Sequence, residues 1–387
     1  MPTLKAVRTA PIPVVVPARL LRIPGLLALA ASLAAVVPAS AQAARGMELA
    51  LQDDAVLLQR VYYDRDTALR QIQELGVTRL RVNLYQTRVL PDWQNTAQTQ
   101  PPVLLYDWAA YDNLIAAAAE RGMRVQLTIG GPTPAFATGD RRQGVYKPDP
   151  AKFAAFAKLA AAHFRGRVDR YSIWNEPNHV AWLQPQKSAP SQYRKLYAAG
   201  YQAVKSVDPA AQVLIGETSP YAKKRAAMAP IKFLRGAMCV DSKWRFRCRD
   251  GLRADGYAHH PYEFVHGPKF RYPGADNATI GTLGHLTRAL DRLKKSGALR
   301  PSQGKRIDLY LTEYGYFRTG HRRISEAKRV KYLRQAYSVA FLHPRVRQLL
   351  QYQLVSPPVR YTSFDTALLG RDGRLTPLYH ALRRVLN

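Results

Sequence analysis

The chain has 387 residues, of which 47% are hydrophobic and 22% are charged. This composition excludes a disordered or fibrous protein and allows a full apolar core, in one large domain or two small ones. The formal net charge of +31 at pH 7 predicts affinity for anionic surfaces and polymers.

The N-terminal 43 residues form a segment of their own. Lys and Arg residues precede an apolar run, Ile23–Ala43, which ends in the small residues "ASAQA". This order predicts a secretory signal peptide cleaved after Ala43, followed by a single domain over 44–387. An uncleaved anchor is the alternative, but the run is short for a membrane span and contains Pro24 and Pro38. We therefore expect a secreted or cell-wall-associated protein with no membrane span after cleavage.

Eight short apolar runs then alternate with eight segments of helical periodicity. The strands are predicted over 47–52, 77–85, 123–131, 168–174, 211–217, 254–262, 306–316 and 347–355. The helices are predicted over 65–76, 106–122, 149–166, 191–209, 226–238, 282–297, 325–343 and 375–387. Gly76 and Gly122 are typical helix ends, Asp149 and Pro150 a typical helix start, and Pro230 predicts a kink or break.

Eight strand-then-helix units in one array predict a closed (β/α)8 TIM barrel, in the α/β class. A doubly wound open sheet is the alternative. It would need a Gly-rich phosphate-binding turn after an early strand, and "LTIGGPTP" lacks that spacing. We find no linker that would separate a second domain.

The two cysteines, Cys239 and Cys248, are close in sequence. In an exported chain such a pair predicts a disulfide, with two free thiols as the alternative. A metal site there is not expected, because no histidine lies at ligand spacing beside them. We expect no cofactor, no metal and a monomer.

The positive charge is scattered, with small clusters such as Lys223–Arg225 and Arg322–Arg323. The first 43 residues hold four of the positive residues and no acidic ones, so cleavage would leave about +27. There is neither a basic tail nor a nucleic-acid recognition motif, so no specific nucleic acid is expected. The charge predicts adhesion to an anionic cell-surface polymer or a preference for acidic substrates, although an Arg-rich genome would give the same count.

The active site of a TIM barrel lies at the C-terminal ends of its strands. Glu176 and Glu313 each follow an apolar strand directly, and the fourth and seventh strands can face each other across the mouth. Two opposed carboxylates, one protonated and one charged, are what glycoside hydrolysis needs. Arg81 and His260 are candidates to keep the attacking carboxylate charged. Glu217 also ends a strand, and we interpret it as a supporting or substrate-contacting residue.

The motifs "IWNEP" and "LTEYG" around these two residues resemble signatures of the retaining β-glycosidases of glycoside hydrolase clan A. Within the clan, the chain over roughly 47–387 looks most like family 39 or a cellulase-like branch of family 5. The resemblance implies that Glu176 is the acid/base, Glu313 the nucleophile, and Asn175 a contact to the sugar 2-hydroxyl. A carbohydrate substrate follows from it.

Further positions match the clan pattern, with one departure. His260-Pro261-Tyr262 resembles an H-x-Y motif whose tyrosine bonds the nucleophile, and Arg81 resembles a supporting arginine of the second strand. Many clan members carry a tryptophan after the eighth strand, under the bound sugar. This chain has "QYQLVSPP" there, so Tyr352 is the candidate floor of the sugar site.

The sequence thus predicts a secreted retaining β-glycosidase that hydrolyses a polysaccharide or glycoside. A non-catalytic or transglycosylating barrel that adheres to anionic cell-wall polymers is the alternative. Trp93, Trp108 and Trp182 either stack on sugar rings or pack in the core.

Overall fold

The computed structural model describes residues 46–360 and 362–386. The predicted signal peptide and its cleavage site after Ala43 lie outside the described residues. Export and the domain boundary at residue 44 therefore stay predictions.

Eight parallel strands close into a barrel in which each strand pairs with its neighbours in chain order and the last pairs with the first. Each lies within or overlaps a predicted strand, so the (β/α)8 prediction is confirmed. The strands are β1 (Glu48–Gln52), β2 (Arg79–Tyr85), β3 (Arg124–Gly130), β4 (Arg170–Ile173), β5 (Gln212–Thr218), β6 (Gly256–His259), β7 (Leu309–Leu311) and β8 (Val346–Tyr352).

A longer helix follows every strand. These helices are α1 (Arg65–Glu74), α2 (Ala109–Ala119), α3 (Pro150–His163), α4 (Ala189–Val207), α5 (Pro230–Ala237), α6 (Leu283–Lys295), α7 (Glu326–Leu342) and α8 (Pro377–Leu386). The predicted break at Pro230 is wrong, because α5 begins at this residue. Proline fits the first turn of a helix, where its missing N–H would have had no partner.

The loops contain short elements that the periodicity did not predict. Helical turns span Asp54–Leu57, Gln86–Val89, Asp92–Thr96, Ala135–Ala137, Gln186–Ser188 and Ile280–Thr282. Leu252–Ala254 and Leu299–Pro301 form a two-stranded parallel sheet outside the barrel.

The main core lies between the barrel and its helices, as β2 illustrates. Leu80, Val82 and Leu84 are fully buried in the apolar cluster that the helices share. Burial of each such side chain stabilises the fold by about 1.5–3 kcal/mol. Arg79 and Arg81 alternate with them and are also fully buried, because successive strand residues face opposite sides of the sheet.

The barrel interior therefore holds charged side chains. Arg170 on β4 donates to Glu48 on β1, to Gln212 on β5 (2.8 Å) and to Gln348 on β8 (2.8 Å). A buried guanidinium is tolerated only when it is paired and hydrogen-bonded. This network closes the N-terminal end of the barrel and leaves the other end for the site.

The predicted disulfide between Cys239 and Cys248 is confirmed. It links the two ends of a short loop that follows α5. Among the described residues, the helices are too short or too polar to cross a membrane.

Candidate active site

A cleft of about 510 Å³ opens at the C-terminal ends of the strands. Five of the seven predicted site residues line it, namely Asn175, Glu176, Tyr262, Glu313 and Tyr352. The other two, Arg81 and His260, are fully buried and bond to residues of this group. The structure therefore brings all seven together.

The turn after β4 has an unusual backbone. Trp174 and Glu176 have φ values of 70° and 37°, in a region that side-chain-bearing residues seldom adopt. The Trp174 N–H donates to the Ile129 carbonyl (2.7 Å), and the Glu176 N–H donates to the Glu217 carbonyl (2.8 Å). Strain of this kind costs about 1–3 kcal/mol per residue and is concentrated at functional sites. Here it aims the Glu176 carboxyl into the cleft.

Glu313 follows β7 and is held by two donors. The Arg81 guanidinium lies 2.9 Å from its Oε1, and the Tyr262 hydroxyl donates to its Oε2 at 3.1 Å. Burial raises the pKa of the Glu313 carboxyl above its usual range, while the charges of His260 and Arg81 oppose that rise. Both donors favour the ionised form, and together they hold the Glu313 carboxyl in one orientation.

Glu176 stands opposite Glu313. One of its carboxylate oxygens lies within 4.8 Å of a Glu313 carboxylate oxygen. The two side chains remain 18% and 13% exposed, respectively, so both reach the cleft. A separation of about 5–5.5 Å is typical of the two carboxyl groups in retaining glycosidases.

His260 lies below the two carboxylates. Its Nδ1 is 3.0 Å from Glu176 Oε1 and 3.6 Å from Glu313 Oε2, and its Nε2 is 2.8 Å from Glu217 Oε2. Burial alone would lower the pKa of His260, but the three carboxylates outweigh it and raise the pKa to about 9. His260 is thus a cation at neutral pH with both ring nitrogens donating.

The same contacts bear on metal binding. Oxygen or nitrogen atoms of Glu176, His260 and Glu313 lie within 4.8 Å of one another, which is close enough to hold an ion. A metal-ligating histidine must be neutral at the coordinating nitrogen, whereas both nitrogens of His260 face carboxylates. The hydrogen bonds favour an imidazolium in this place over a metal ligand.

Glu217 was only partly anticipated, since its sequence position gave no sign that it lies at the centre of the network. It is fully buried and accepts from Arg81 (3.3 Å), His260 (2.8 Å) and Thr312 (2.5 Å). Burial would raise the pKa of Glu217, but the charges of Arg81 and His260 lower it to about 2. A register shift of β5 at Gly216 lets this residue point into the barrel.

Arg81 connects the remaining polar groups. Its guanidinium donates to Asn175 Oδ1 (2.8 Å), to Thr128 Oγ1 (2.9 Å) and to Gln52 Oε1. The bond to Asn175 orients the amide with its NH2 group as the donor for a ligand in the cleft. Arg81 is therefore both an interior ion-pair residue and a support for Glu313.

Aromatic side chains form much of the cleft wall. Tyr352 ends β8 and meets Phe364 edge-on at 5.5 Å between ring centroids. Trp182 also lines the cleft. Stacking on a sugar ring was one of the two roles predicted for it. Trp108 instead stacks on side chains of α3, and Trp93 is 59% exposed away from the cleft lining. Tyr352 thus ends β8 and lines the cleft.

No family model matches this chain, and no curated protein sequence does either. Solved structures do resemble it. A family 39 glycoside hydrolase from Bacteroides cellulosilyticus WH2 has a TM-score of 0.63 at 19% identity over 88% of this chain and 63% of its own. A monomeric β-xylosidase from Caulobacter crescentus CB15 gives 0.56 at 18% identity over 88% and 67%. Native xylanase 10B from Thermotoga maritima gives 0.52 at 15% identity over 88% and 94%.

The chain spans only 63% of the length of the Bacteroides enzyme. Its similarity to these proteins is one of fold, at identities below 20%. The chain has the (β/α)8 fold of the clan A glycoside hydrolases that its two motifs resemble, with family 39 enzymes among its structural neighbours.

Proposed function

We propose that this protein is a retaining β-glycosidase that hydrolyses O-glycosidic bonds through Glu176 and Glu313. The observation that carries the proposal is the separation of these two carboxylates, whose oxygens approach within 4.8 Å across one cleft. Carboxyl groups about 5–5.5 Å apart leave room for an anomeric carbon between an attacking oxygen and a proton donor, whereas inverting enzymes use a wider gap that also holds a water.

In the first step, a carboxylate oxygen of Glu313 attacks the anomeric carbon while Glu176 gives its proton to the leaving oxygen. The glycosidic C–O bond breaks, and a glycosyl ester forms on Glu313. Arg81 and Tyr262 hold the attacking carboxylate in place before the reaction. Such positioning lowers the barrier because the reacting groups need no further alignment.

In the second step, Glu176 takes a proton from water as the water oxygen attacks the anomeric carbon. The ester bond to Glu313 breaks, and both carboxyl groups return to their first state. Asn175 hydrogen-bonds the 2-hydroxyl of the sugar, and Tyr352 packs against the apolar face of the sugar ring. The positive charge of His260 limits repulsion between Glu176 and Glu313 when both are ionised.

Hydrolysis of aryl β-glycosides tests this proposal. Glu176→Gln should lower kcat/KM by about 10²–10⁴-fold on substrates with poor leaving groups, and Glu313→Gln should lower it on all substrates. Glu120→Gln removes a carboxylate that is 74% exposed at the end of α2, and should act like wild type. Azide should rescue Glu176→Ala on activated substrates and yield a β-glycosyl azide. Full activity in either cleft variant would refute the assignment.

Two alternatives give different products. A transglycosylase with the same residues would release products heavier than the substrate, which mass spectrometry resolves. A non-catalytic barrel would bind a wall polymer in a salt-sensitive manner without releasing any sugar.

We also propose that the protein is exported as a monomer and adheres to an anionic cell-surface polymer. The apolar run Ile23–Ala43 and the net charge of +31 support this, as does the disulfide, since disulfides persist in oxidising compartments. Mass analysis of the protein from culture medium tests cleavage after Ala43, and light scattering tests the monomer. Retention of the protein inside the cell would contradict export.

A further inference from the structure

A second hollow of about 410 Å³ adjoins the cleft and shares Lys223 and Ala227 with it. We call it the basic hollow, because half of the side chains that line it are cationic and, among the described residues, Asp and Glu are absent from its lining. Its cations are Lys187, Lys223, Lys224, Arg225 and Lys232.

These cations come from three parts of the chain. Lys187 follows β4, Lys223–Arg225 belong to the loop after β5, and Lys232 lies in the first turn of α5. All five are exposed, and within residues 46–360 and 362–386 none has a salt bridge. Like charges that meet on one surface repel each other, and an anionic ligand relieves that repulsion.

An ion pair forms close to the basic hollow, so a lack of acidic residues in this region does not explain why its five cations are unpaired among the described residues. Arg235, three residues after Lys232 on α5, forms a two-bond ion pair with Asp276 at 2.6 and 2.8 Å. An acidic side chain is therefore present near the basic hollow, yet its ion pair is with Arg235 and it does not line the hollow. A generally Arg-rich composition does not explain why they gather without acids.

The loop that carries three of the cations is fixed next to Glu176. Lys223 and Ala227 exchange backbone hydrogen bonds at 2.9 Å, and the Met228 N–H donates to the Asn178 carbonyl at 2.8 Å. Asn178 returns a side-chain bond to the Met228 carbonyl, also at 2.8 Å. Asn178 is two residues after Glu176, so the basic hollow has a defined position relative to the proposed proton donor.

We propose that the basic hollow binds anionic sugar units of an acidic polysaccharide that extends from the cleft past Glu176. This inference rests on the proposed glycosidase function for the position of the scissile bond. Because Glu176 protonates the leaving oxygen, sugars on its side belong to the leaving group. The enzyme would then cleave within an acidic chain and hold the released portion by its charges.

Equilibrium binding to three celluloses tests the proposal without any turnover. The protein is Glu313→Gln, and the polymers are carboxymethylcellulose, cellulose sulfate and neutral hydroxyethylcellulose, which share one backbone. The hollow variant adds Lys224→Gln, Arg225→Gln and Lys232→Gln, none of which lines the cleft. The control variant adds Lys158→Gln, Lys195→Gln and Lys331→Gln, three exposed lysines on α3, α4 and α7. Both variants lose three charges.

We expect the hollow variant to bind at least one of the two anionic polymers about tenfold more weakly at low salt, since each lost contact contributes a few tenths to 1 kcal/mol. The control variant should change by less than about twofold, and hydroxyethylcellulose should not distinguish the two. Comparison of carboxymethylcellulose with cellulose sulfate identifies the preferred anionic group. Equal losses in both variants would overturn the proposal.

The two proposals fail separately. If wild type hydrolyses no aryl β-glycoside but the hollow variant alone loses polymer binding, the glycosidase function is wrong and the anion site stands. If hydrolysis proceeds and both variants bind alike, the glycosidase function stands and the anion site is wrong.

Discussion

At the scale of single residues, the site depends on a positive charge buried between three carboxylates. His260 bonds Glu176 above it and Glu217 below it, and its pKa of about 9 exceeds the usual 6.5. Glu217 in turn has a pKa of about 2 because Arg81 and His260 stabilise its charge against burial. These groups hold each other in the ionised state.

This coupling predicts how stability depends on pH. The pKa of His260 is higher in the folded state, so its contribution is complete below about pH 6.5 and is lost as the pH rises through about 9. The melting temperature of wild type should therefore fall over this range. In His260→Gln the fall should be much smaller, whereas His380→Gln, at an exposed histidine of α8, should melt like wild type. An unchanged slope in His260→Gln would contradict the charge assigned here.

Removal of Glu217 is expected to be costly. Glu217→Gln leaves Arg81 with one fewer buried counter-charge, and breaking a buried ion pair costs about 3–5 kcal/mol of unfolding free energy. Urea denaturation measures this, with Glu120→Gln as the exposed control. A loss below about 1 kcal/mol, the usual size for an exposed pair, would show that water reaches the site in place of the charge.

The sequence allowed Glu176 and Glu313 to be singled out because each directly follows an apolar strand within a recognisable motif. It did not place Glu217 at the centre. By alternation from the inward Leu214, residue 217 would face the helices, and only the shift at Gly216 turns it inward. Such a shift depends on backbone conformation and leaves no trace in the hydrophobic pattern.

At the scale of elements, the end of β5 decides the geometry of the site. Gly216 has φ of +116°, and a Cβ there would lie 2.4 Å from the carbonyl oxygen of Ala258 on β6. Only glycine accepts both the conformation and the close approach. The bulge that re-aims Glu217 therefore requires this residue.

Two glycine substitutions separate conformation from contact. At Gly122, where φ is +71°, an added Cβ would meet open space. Gly122→Ala should therefore lower the free energy of unfolding only by the cost of a left-handed backbone, about 1–2 kcal/mol. Gly216→Ala should cost more and lower kcat as well, because Glu217 and hence Arg81 and His260 move. Thermal unfolding and aryl glycoside hydrolysis measure the two effects. Similar costs for both substitutions would show that β5 can shift without disturbing the site.

The number and order of strands and helices could be predicted, whereas strand ends could not. The seventh strand was predicted over 306–316, but β7 ends at Leu311, and Thr312 and Glu313 follow it at the mouth of the barrel. The sixth ends at His259, before His260. Apolar residues continue past both ends because the cleft wall is itself aromatic, so the pattern gives no stop signal.

At the scale of the whole molecule, charge divides between the interior and the surface. Arg79, Arg81 and Arg170 are paired inside the barrel. Of these three, the sequence predicted a paired role only for Arg81. The basic hollow gathers Lys187 and Lys232 from positions far apart in sequence. Clusters that form only on folding are not visible in a linear charge count.

Added salt should weaken the interactions of the surface charges more than those of the buried ones. Raising the ionic strength from about 0.05 M to 0.5 M shortens the screening length severalfold, and exposed charges are screened far more than buried ones. Carboxymethylcellulose binding should therefore weaken by about tenfold or more, while hydrolysis of a neutral aryl glycoside should change less than about twofold. Isothermal titration and a chromogenic assay measure these. Equal salt sensitivity of polymer binding and aryl glycoside hydrolysis would show that the surface charges also influence the catalytic step.

Covalent trapping identifies the nucleophile of the proposed glycosidase. A panel of dinitrophenyl 2-deoxy-2-fluoro-β-glycosides should accumulate the glycosyl-enzyme, because fluorine slows its hydrolysis. After trypsin digestion, the sugar should reside on Ile307–Arg318, whose only glutamate is Glu313. A label on Tyr171–Lys187, which carries Glu176, or an active enzyme that releases an inverted sugar without any label, would contradict the account.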